Sequence, residues 1–162
     1  SKDAPYLATQ AWGIGSKQSG TLLDWLFGPV FVRYPGVKIA LSEGGIGWMP
    51  YFLERAEQVL DKQRFWASLG EREVEGGMLK PGTKAGSREK ASEVDLLTLD
   101  IRKTFRDHVY GCFIEDQAGL DNIHHIGVDN VMIEVDYPHS DSTGPNSIQF
   151  AHKQLDRFDD ET

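Results

Sequence analysis

Residues 36–47 read GVKIALSEGGIG, and the interpretation of the whole chain starts from this stretch. An apolar run from Val37 to Leu41 lies between a preceding glycine and a following glycine-rich turn. A short apolar run between turn residues is typical of a buried β-strand. From Met49 onward, apolar residues recur mostly at spacings of three and four, which predicts an amphipathic helix of about four turns. The stretch therefore predicts a strand, a turn and a helix of an α/β protein.

The same alternation of helices and apolar strands continues toward both ends of the chain. Toward the N-terminus, residues 21–27 predict a short helix, whereas residues 1–20 show no clear period. Toward the C-terminus the pattern predicts a helix, a strand, a short helical turn, a last strand and a polar helical tail over residues 96–108, 109–114, 117–125, 131–135 and 149–158. Strands that alternate with helices predict parallel βαβ units with right-handed crossovers.

Residues 67–95 differ from this pattern. They are rich in glycine, and their five basic and six acidic side chains nearly cancel in charge. Such a composition is typical of a solvated surface, and loops of this length inside a domain are often lids or insertions. We predict a long, mobile surface insertion here.

The overall composition excludes several classes of function. The chain has 162 residues, a formal net charge of −8, 40% apolar residues and one cysteine, Cys112. An acidic chain without a basic block is unsuited to nucleic acids and to anionic membrane surfaces. A lone cysteine excludes an intrachain disulfide and a zinc site built from several cysteines. We therefore expect a small-molecule substrate and a cytoplasmic setting, and homo-oligomerisation stays open.

Acidic residues follow each of the three predicted strands. Glu43 follows the first, Glu115 and Asp116 follow the second, and Asp136 follows the third. Active sites of parallel α/β proteins lie at the carboxyl ends of the strands. Helix capping is the alternative explanation, and we favour it for Glu115 and Asp116. For Asp136 we favour a role as a metal ligand or general base, because a turn with the sequence Tyr137-Pro138-His139 follows it directly.

The glycine turn of residues 44–47 and the histidines carry weaker signals. The turn lacks the third glycine of a dinucleotide fingerprint, since Pro50 stands at that position. Glycines that allow a sharp turn are the preferred explanation, and a small nucleotide-binding domain is the weakest hypothesis. His139 is the histidine that the chain places at the predicted active face, where a catalytic role and a surface position are equally open. Trp48 borders the turn and is otherwise expected in the core.

Several motifs taken together resemble the amidohydrolase-related family, in the branch that includes aminocarboxymuconate semialdehyde decarboxylase. The resemblance covers residues 20–66 and 105–147. The matching segments are LFGPVF at 26–31, YPGVKI at 34–39, SEGGIGW at 42–48, YGCF at 110–113 and DYPH at 136–139, followed by Asp141.

The resemblance implies a (β/α)₈ barrel with a divalent metal, expected to be Zn²⁺, at the carboxyl face of the strands. The three predicted strands would then be the sixth, seventh and eighth. Asp136 matches the eighth-strand Asp, which in the family binds the metal or its water and moves the proton. Glu43 stands where the decarboxylases carry a histidine, and it is a candidate acid/base residue with His139. Trp48 and Asp141 are candidate substrate-binding residues.

The chain also departs from the family pattern. The His-x-His pair of the first strand and the histidine of the fifth strand are absent, and the first histidine of the chain is His108. A complete barrel takes about 250 residues. We therefore expect residues 1–162 to be the C-terminal portion of a hydrolase or non-oxidative decarboxylase, inactive in isolation. The alternative hypothesis is a non-catalytic binding or assembly module that retains part of the barrel.

Overall fold

The structure is a computed structural model that describes residues 5–68, 74–75, 78–79, 93–140 and 142–158. The described part begins with the helices α1 (Tyr6–Phe27) and α2 (Val30–Arg33), the strand β1 (Ile39–Leu41) and the helix α3 (Met49–Ser68). A short antiparallel pair, β2 (Val74–Glu75) and β3 (Met78–Leu79), comes next. The remaining elements are α4 (Ile101–His108), β4 (Val109–Phe113), α5 (Gln117–Asp121), α6 (Ile123–Ile126), a 3₁₀ turn (Val128–Asn130), β5 (Val131–Ile133) and α7 (Ser147–Leu155).

The three predicted strands form one parallel sheet. Its strand order is β1, β4, β5, which is also their order along the chain. Leu41 lies opposite Gly111, and Gly111 in turn lies opposite Val131. The predicted parallel α/β arrangement is confirmed for this sheet, and the strands are shorter than predicted by one or two residues. Their carboxyl ends meet at one edge of the sheet.

One face of the sheet packs against the helices. Leu41, Val109 and Phe113 are buried on this face and join an apolar cluster with side chains from α1, α3 and α4. Gly111 allows α3 to approach closely, because a Cβ atom at this position would lie 2.6 Å from the Met49 Cε. Alternation of side chains along β1 and β4 therefore directs every second residue toward the core, whereas Ile133 on the outer strand β5 is exposed.

The opposite face carries Tyr110 on the middle strand and is less buried than the packed face. Ala40 and Ser42 are exposed on it, and Met132 is 40% exposed. Cys112 occupies the middle strand at the same level as Ser42 and Met132, and Glu134 continues this face beyond β5. The sheet thus has a packed face and a polar face, and we use these two names below.

The N-terminal helix is the largest difference from the sequence prediction. Residues 1–20 were expected to lack regular structure, because their glycines have low helix propensity. Instead, α1 begins at Tyr6 and runs for 22 residues. Gly15 lies against the glycine turn, where a Cβ atom would be 3.2 Å from the Gly44 carbonyl oxygen. Small residues on α1 therefore permit close packing against the turn, and this tertiary contact outweighs local propensity.

The second amphipathic helix begins later than predicted. The expected helix over residues 96–108 is α4, which starts at Ile101. Residues 95–99 form a turn in which the Leu99 N–H donates to the Asp95 carbonyl oxygen at 2.9 Å. Asp100 then caps the helix by accepting a hydrogen bond from the Lys103 N–H at 2.9 Å. An Asp directly before an amphipathic apolar pattern is a helix-start signal, and Asp100 accordingly places the start of α4 at Ile101.

Most of the predicted insertion over residues 67–95 lies outside the described residues. Its described parts are the end of α3, the short pair β2 and β3, and residues 93–95. Among the helices that the structure describes, none has the combination of length and apolar composition that crossing a membrane requires.

Candidate functional site

A cavity of about 410 Å³ lies at the carboxyl edge of the sheet. All three strands contribute to it through the residues that follow them: Glu43 after β1, Glu115 after β4 and Glu134 after β5. The remaining lining residues are Gly45, Ile114, Ser142, Thr143 and Phe150. The cavity therefore lies where the parallel topology predicts an active site.

The lining of this cavity is acidic. Glu43, Glu115 and Glu134 supply three carboxylates, and Ser142 and Thr143 add two hydroxyl groups. Among the described lining residues there is no basic side chain to balance these charges. Carboxylates that share one site raise the free energy of each other's ionised form. The edge is therefore suited to a group that holds a proton.

Glu134 is a site residue that the sequence prediction missed. Its backbone N–H donates to the Phe113 carbonyl oxygen at 2.9 Å, and its Oε1 accepts a hydrogen bond from the Glu43 N–H at 2.6 Å. Burial is the main cause that raises the pKa of Glu134, and the charges of Glu43 and Asp136 raise it further. The hydrogen bond from Glu43 opposes this shift. An acidic residue inside an otherwise apolar strand was the signal available in the sequence.

Asp136 and His139, two of the candidate catalytic residues, lie in contact with each other. The His139 Nδ1 lies 2.9 Å from the Asp136 Oδ2, and the His139 N–H donates to the Asp136 carbonyl oxygen at 2.8 Å. Asp136 has a positive φ of 46°. The imidazole is 63% exposed, whereas the carboxylate is 22% exposed. A carboxylate that fixes one nitrogen of a histidine orients the ring for proton transfer.

Asp116 has the capping role that the sequence analysis favoured. Its Oδ1 accepts a hydrogen bond from the Gly119 N–H at 2.8 Å, at the start of α5. Its Oδ2 accepts hydrogen bonds from the N–H groups of Ile46 and Gly47, each at 2.7 Å. Asp116 therefore joins the glycine turn to α5, whereas its neighbour Glu115 lines the cavity.

Trp48 lies against the same turn. Its Nε1–H donates to the Gly44 carbonyl oxygen at 2.9 Å, and its ring packs edge-on against Phe52 with the centroids 6.1 Å apart. The indole stabilises the turn and is outside the set of residues that line the cavity. Its predicted contact with substrate stays a prediction. Asp141, the other predicted substrate-binding residue, lies outside the described residues.

The fit of a divalent metal was tested on the donor groups of this edge. Across the described parts of the chain, no group of three or more His, Cys, Asp or Glu side chains is arranged to hold a metal ion. Asp136 and His139 form a hydrogen-bonded pair, and Glu43 and Glu134 are joined through the Glu43 backbone. Structural and catalytic zinc sites use three or four protein ligands. The described residues therefore do not form a metal site by themselves.

The chain was compared with known proteins. It matches no protein-family model, and no curated protein is significantly similar to it. The resemblance to the amidohydrolase-related family stays a prediction, and the function is argued below from the residues of the site.

Proposed function

We propose that the chain is the C-terminal portion of a metal-dependent, amidohydrolase-like enzyme that hydrolyses or decarboxylates a small organic substrate. The observation that supports it most is the position of Glu43, Glu134 and Asp136. All three follow or extend parallel strands at one edge of the sheet. Glu43 and Glu134 line the cavity, and Asp136 is outside its lining but close enough for its charge to act on Glu134. Catalytic residues of (β/α)₈ enzymes come from the ends of several different strands in this way.

The sheet has features that a barrel segment requires. In a (β/α)₈ barrel neighbouring strands follow chain order, helices cover the outer face, and the inner face is turned toward the barrel axis. Here β1, β4 and β5 are neighbours in chain order, and the helices cover the packed face. We assign these strands to the sixth, seventh and eighth positions, with the polar face toward the interior.

The proposed chemistry divides among the residues of the edge. In hydrolysis, Asp136 takes a proton from the attacking water and passes it to the leaving group, whereas in decarboxylation it delivers a proton to the carbon that loses CO₂. Its contact with His139 gives a second group through which the proton exchanges with solvent. Glu43 is the second acid/base group and lines the cavity directly. A divalent ion would polarise the substrate or a water molecule. Asp136 would supply one ligand for it, and the other ligands would come from parts of the complete protein other than this site.

The test uses the protein encoded by the complete reading frame that contains these residues. It is loaded with Zn²⁺ or Mn²⁺ and assayed for CO₂ release from small aromatic and unsaturated carboxylic acids, and for hydrolysis of small amides and lactones. We expect Asp136→Asn to lower kcat by a factor of about 100 or more. Asp129→Asn, an exposed residue before β5, is the matched control and keeps wild-type kcat. Wild-type turnover in Asp136→Asn, or no turnover of any substrate in the panel, contradicts the proposal.

A separate measurement tests whether the 162-residue chain is inactive by itself. We expect the 162-residue chain alone to bind Zn²⁺ weakly and to be inactive, because one carboxylate and one imidazole do not hold a catalytic ion. Stoichiometric tight zinc together with turnover by this chain would show that the site is complete without further segments.

A non-catalytic assembly module is the second candidate. The observation that favours it is the exposure of Met132 and Val135 at the outer strand β5. Exposed apolar side chains beside an outer strand suit a protein partner or a second copy of the chain. A monodisperse oligomer with a single cooperative melting transition supports this candidate, whereas aggregation or a molten state of the isolated chain supports the fragment.

A further inference from the structure

We propose that Glu134 is a positioning residue, which fixes the backbone of Glu43 and thereby holds the Glu43 carboxylate at the cavity. The inference rests on the proposed function, in which Glu43 is an acid/base group. Glu134 acts through the Glu43 peptide, and its own contact with a substrate is not required.

The backbone of Glu43 needs a contact of this kind. Its φ is 64°, in the left-handed region that residues other than glycine rarely adopt. The glycine two positions later, Gly45, has a φ of 66° and adopts it without a Cβ penalty. The strained conformation at Glu43 persists only where the surroundings stabilise it. The 2.6 Å hydrogen bond from the Glu43 N–H to the Glu134 Oε1 is such a stabilising contact.

This hydrogen bond joins the ends of the two outer strands. β4 lies between β1 and β5, and regular adjacent strands are about 4.8 Å apart, so backbones two strands apart would be separated by roughly 10 Å. A glutamate side chain with a 2.6 Å hydrogen bond reaches less far than this, so the backbone at Glu43 must turn toward β5 beyond the end of β1. Tyr110 and Cys112 are the residues of β4 on the polar face, and the Cys112 Sγ lies 4.0 Å from the Ser42 Oγ.

Other contacts hold different parts of the same turn. Gln18 on α1 donates from its Nε2 to the Ser42 carbonyl oxygen, and Asp116 accepts from the N–H groups of Ile46 and Gly47. Gln18 and Glu134 hold the two sides of one peptide group, because the Ser42 carbonyl and the Glu43 N–H belong to the same peptide unit. Among the contacts of the described residues, Glu134 is the side chain that accepts from the Glu43 N–H. The three contacts together hold the turn from α1, from the cap of α5 and from the residue that follows β5.

The first experiment measures the Glu43 backbone in the protein encoded by the complete reading frame that contains these residues. Backbone NMR follows the amide exchange rate and chemical shift of Glu43 in wild type, Glu134→Gln, Glu134→Ala and the control Glu115→Ala, which alters the same cavity. We expect Glu134→Gln to keep the amide protected, because its carbonyl oxygen still accepts the hydrogen bond. Glu134→Ala should speed exchange at this amide by about tenfold or more, and Glu115→Ala should leave it unchanged.

The outcomes separate this inference from the proposed function. An unchanged Glu43 amide in Glu134→Ala, or equal loss in Glu134→Gln and Glu134→Ala, overturns the inference whatever the enzyme assay shows. If Glu134→Ala does not fold, Glu134→Asp replaces it, since its side chain is one methylene too short to reach. In the complete enzyme we expect Glu134→Ala to lower kcat about tenfold or more at nearly constant KM, with rescue by Glu134→Gln. A fall in kcat that Glu134→Gln does not rescue also contradicts the positioning role.

Discussion

The two faces of the three-stranded sheet differ in what their side chains do. On β4, Val109, Gly111 and Phe113 point to the packed face and are buried among the helices. On the other face, Cys112 lies in a row with Ser42 and Met132, and this row leads to Glu134 and the acidic cavity. Because neighbouring residues of a strand point to opposite faces, the five residues of β4 supply side chains both to the core and to the face that leads to the cavity. Stability and candidate chemistry are therefore separable by substitutions one residue apart.

The largest expected effect tests the packed face. Phe105 on α4 is fully buried, and truncation of a buried Phe to Ala costs about 3–5 kcal/mol. Met132→Ala on the polar face is the matched control, and because its side chain is 40% exposed we expect a loss below about 1 kcal/mol. Urea denaturation followed by circular dichroism measures the free energy of unfolding of both variants. Similar losses in the two variants would show that the polar face is also part of the core.

A smaller effect is expected at the edge where the two faces meet. Asp116→Ala removes the acceptor of three backbone hydrogen bonds, including the cap of α5, and we expect a loss of about 2–4 kcal/mol. Glu115→Ala, one residue earlier, should change the free energy of unfolding by less than about 0.5 kcal/mol because its side chain is exposed. The same denaturation assay compares them. If Glu115→Ala is the more destabilising of the two, the assignment of Asp116 to structure and Glu115 to the cavity is wrong.

The parts of the fold that local patterns determine were predictable from the sequence. The strands β1, β4 and β5 are apolar runs between turn residues, and their parallel pairing follows from the helices between them. That topology also places Glu43 and Asp136 at the same edge without any knowledge of side-chain contacts. The contact between Asp136 and His139 follows from their three-residue spacing around a turn.

The parts that depend on contacts between distant segments were not predictable. The first half of α1 has glycines that argue against a helix, and its close approach to the turn at Gly44 is visible only in three dimensions. In the sequence, Glu134 is one acidic residue within an otherwise apolar strand, and this pattern indicates no particular partner for it. Its bond to Glu43 joins residues 91 positions apart at the ends of the two outer strands, and no local pattern encodes such a contact.

The smallest expected effect concerns the pH dependence of stability that Glu134 contributes. Burial, aided by the charges of Glu43 and Asp136, raises the pKa of Glu134 above its ordinary value of 4.5. As pH rises, the carboxyl ionises in the unfolded chain before it ionises in the folded one. Its stabilising contribution is therefore complete below pH 4.5 and is lost as pH rises through the higher pKa of the folded state.

Glu134→Gln isolates this contribution, because glutamine resembles the protonated side chain and does not titrate. We expect the free energy of unfolding of the wild type, relative to Glu134→Gln, to fall as pH rises from 4 to 7, since the substitution removes the titration of Glu134. Urea denaturation at several pH values measures the difference. A difference that rises with pH would mean that the hydrogen bond from the Glu43 N–H outweighs burial, and the ionised carboxylate would then be the form that holds the turn.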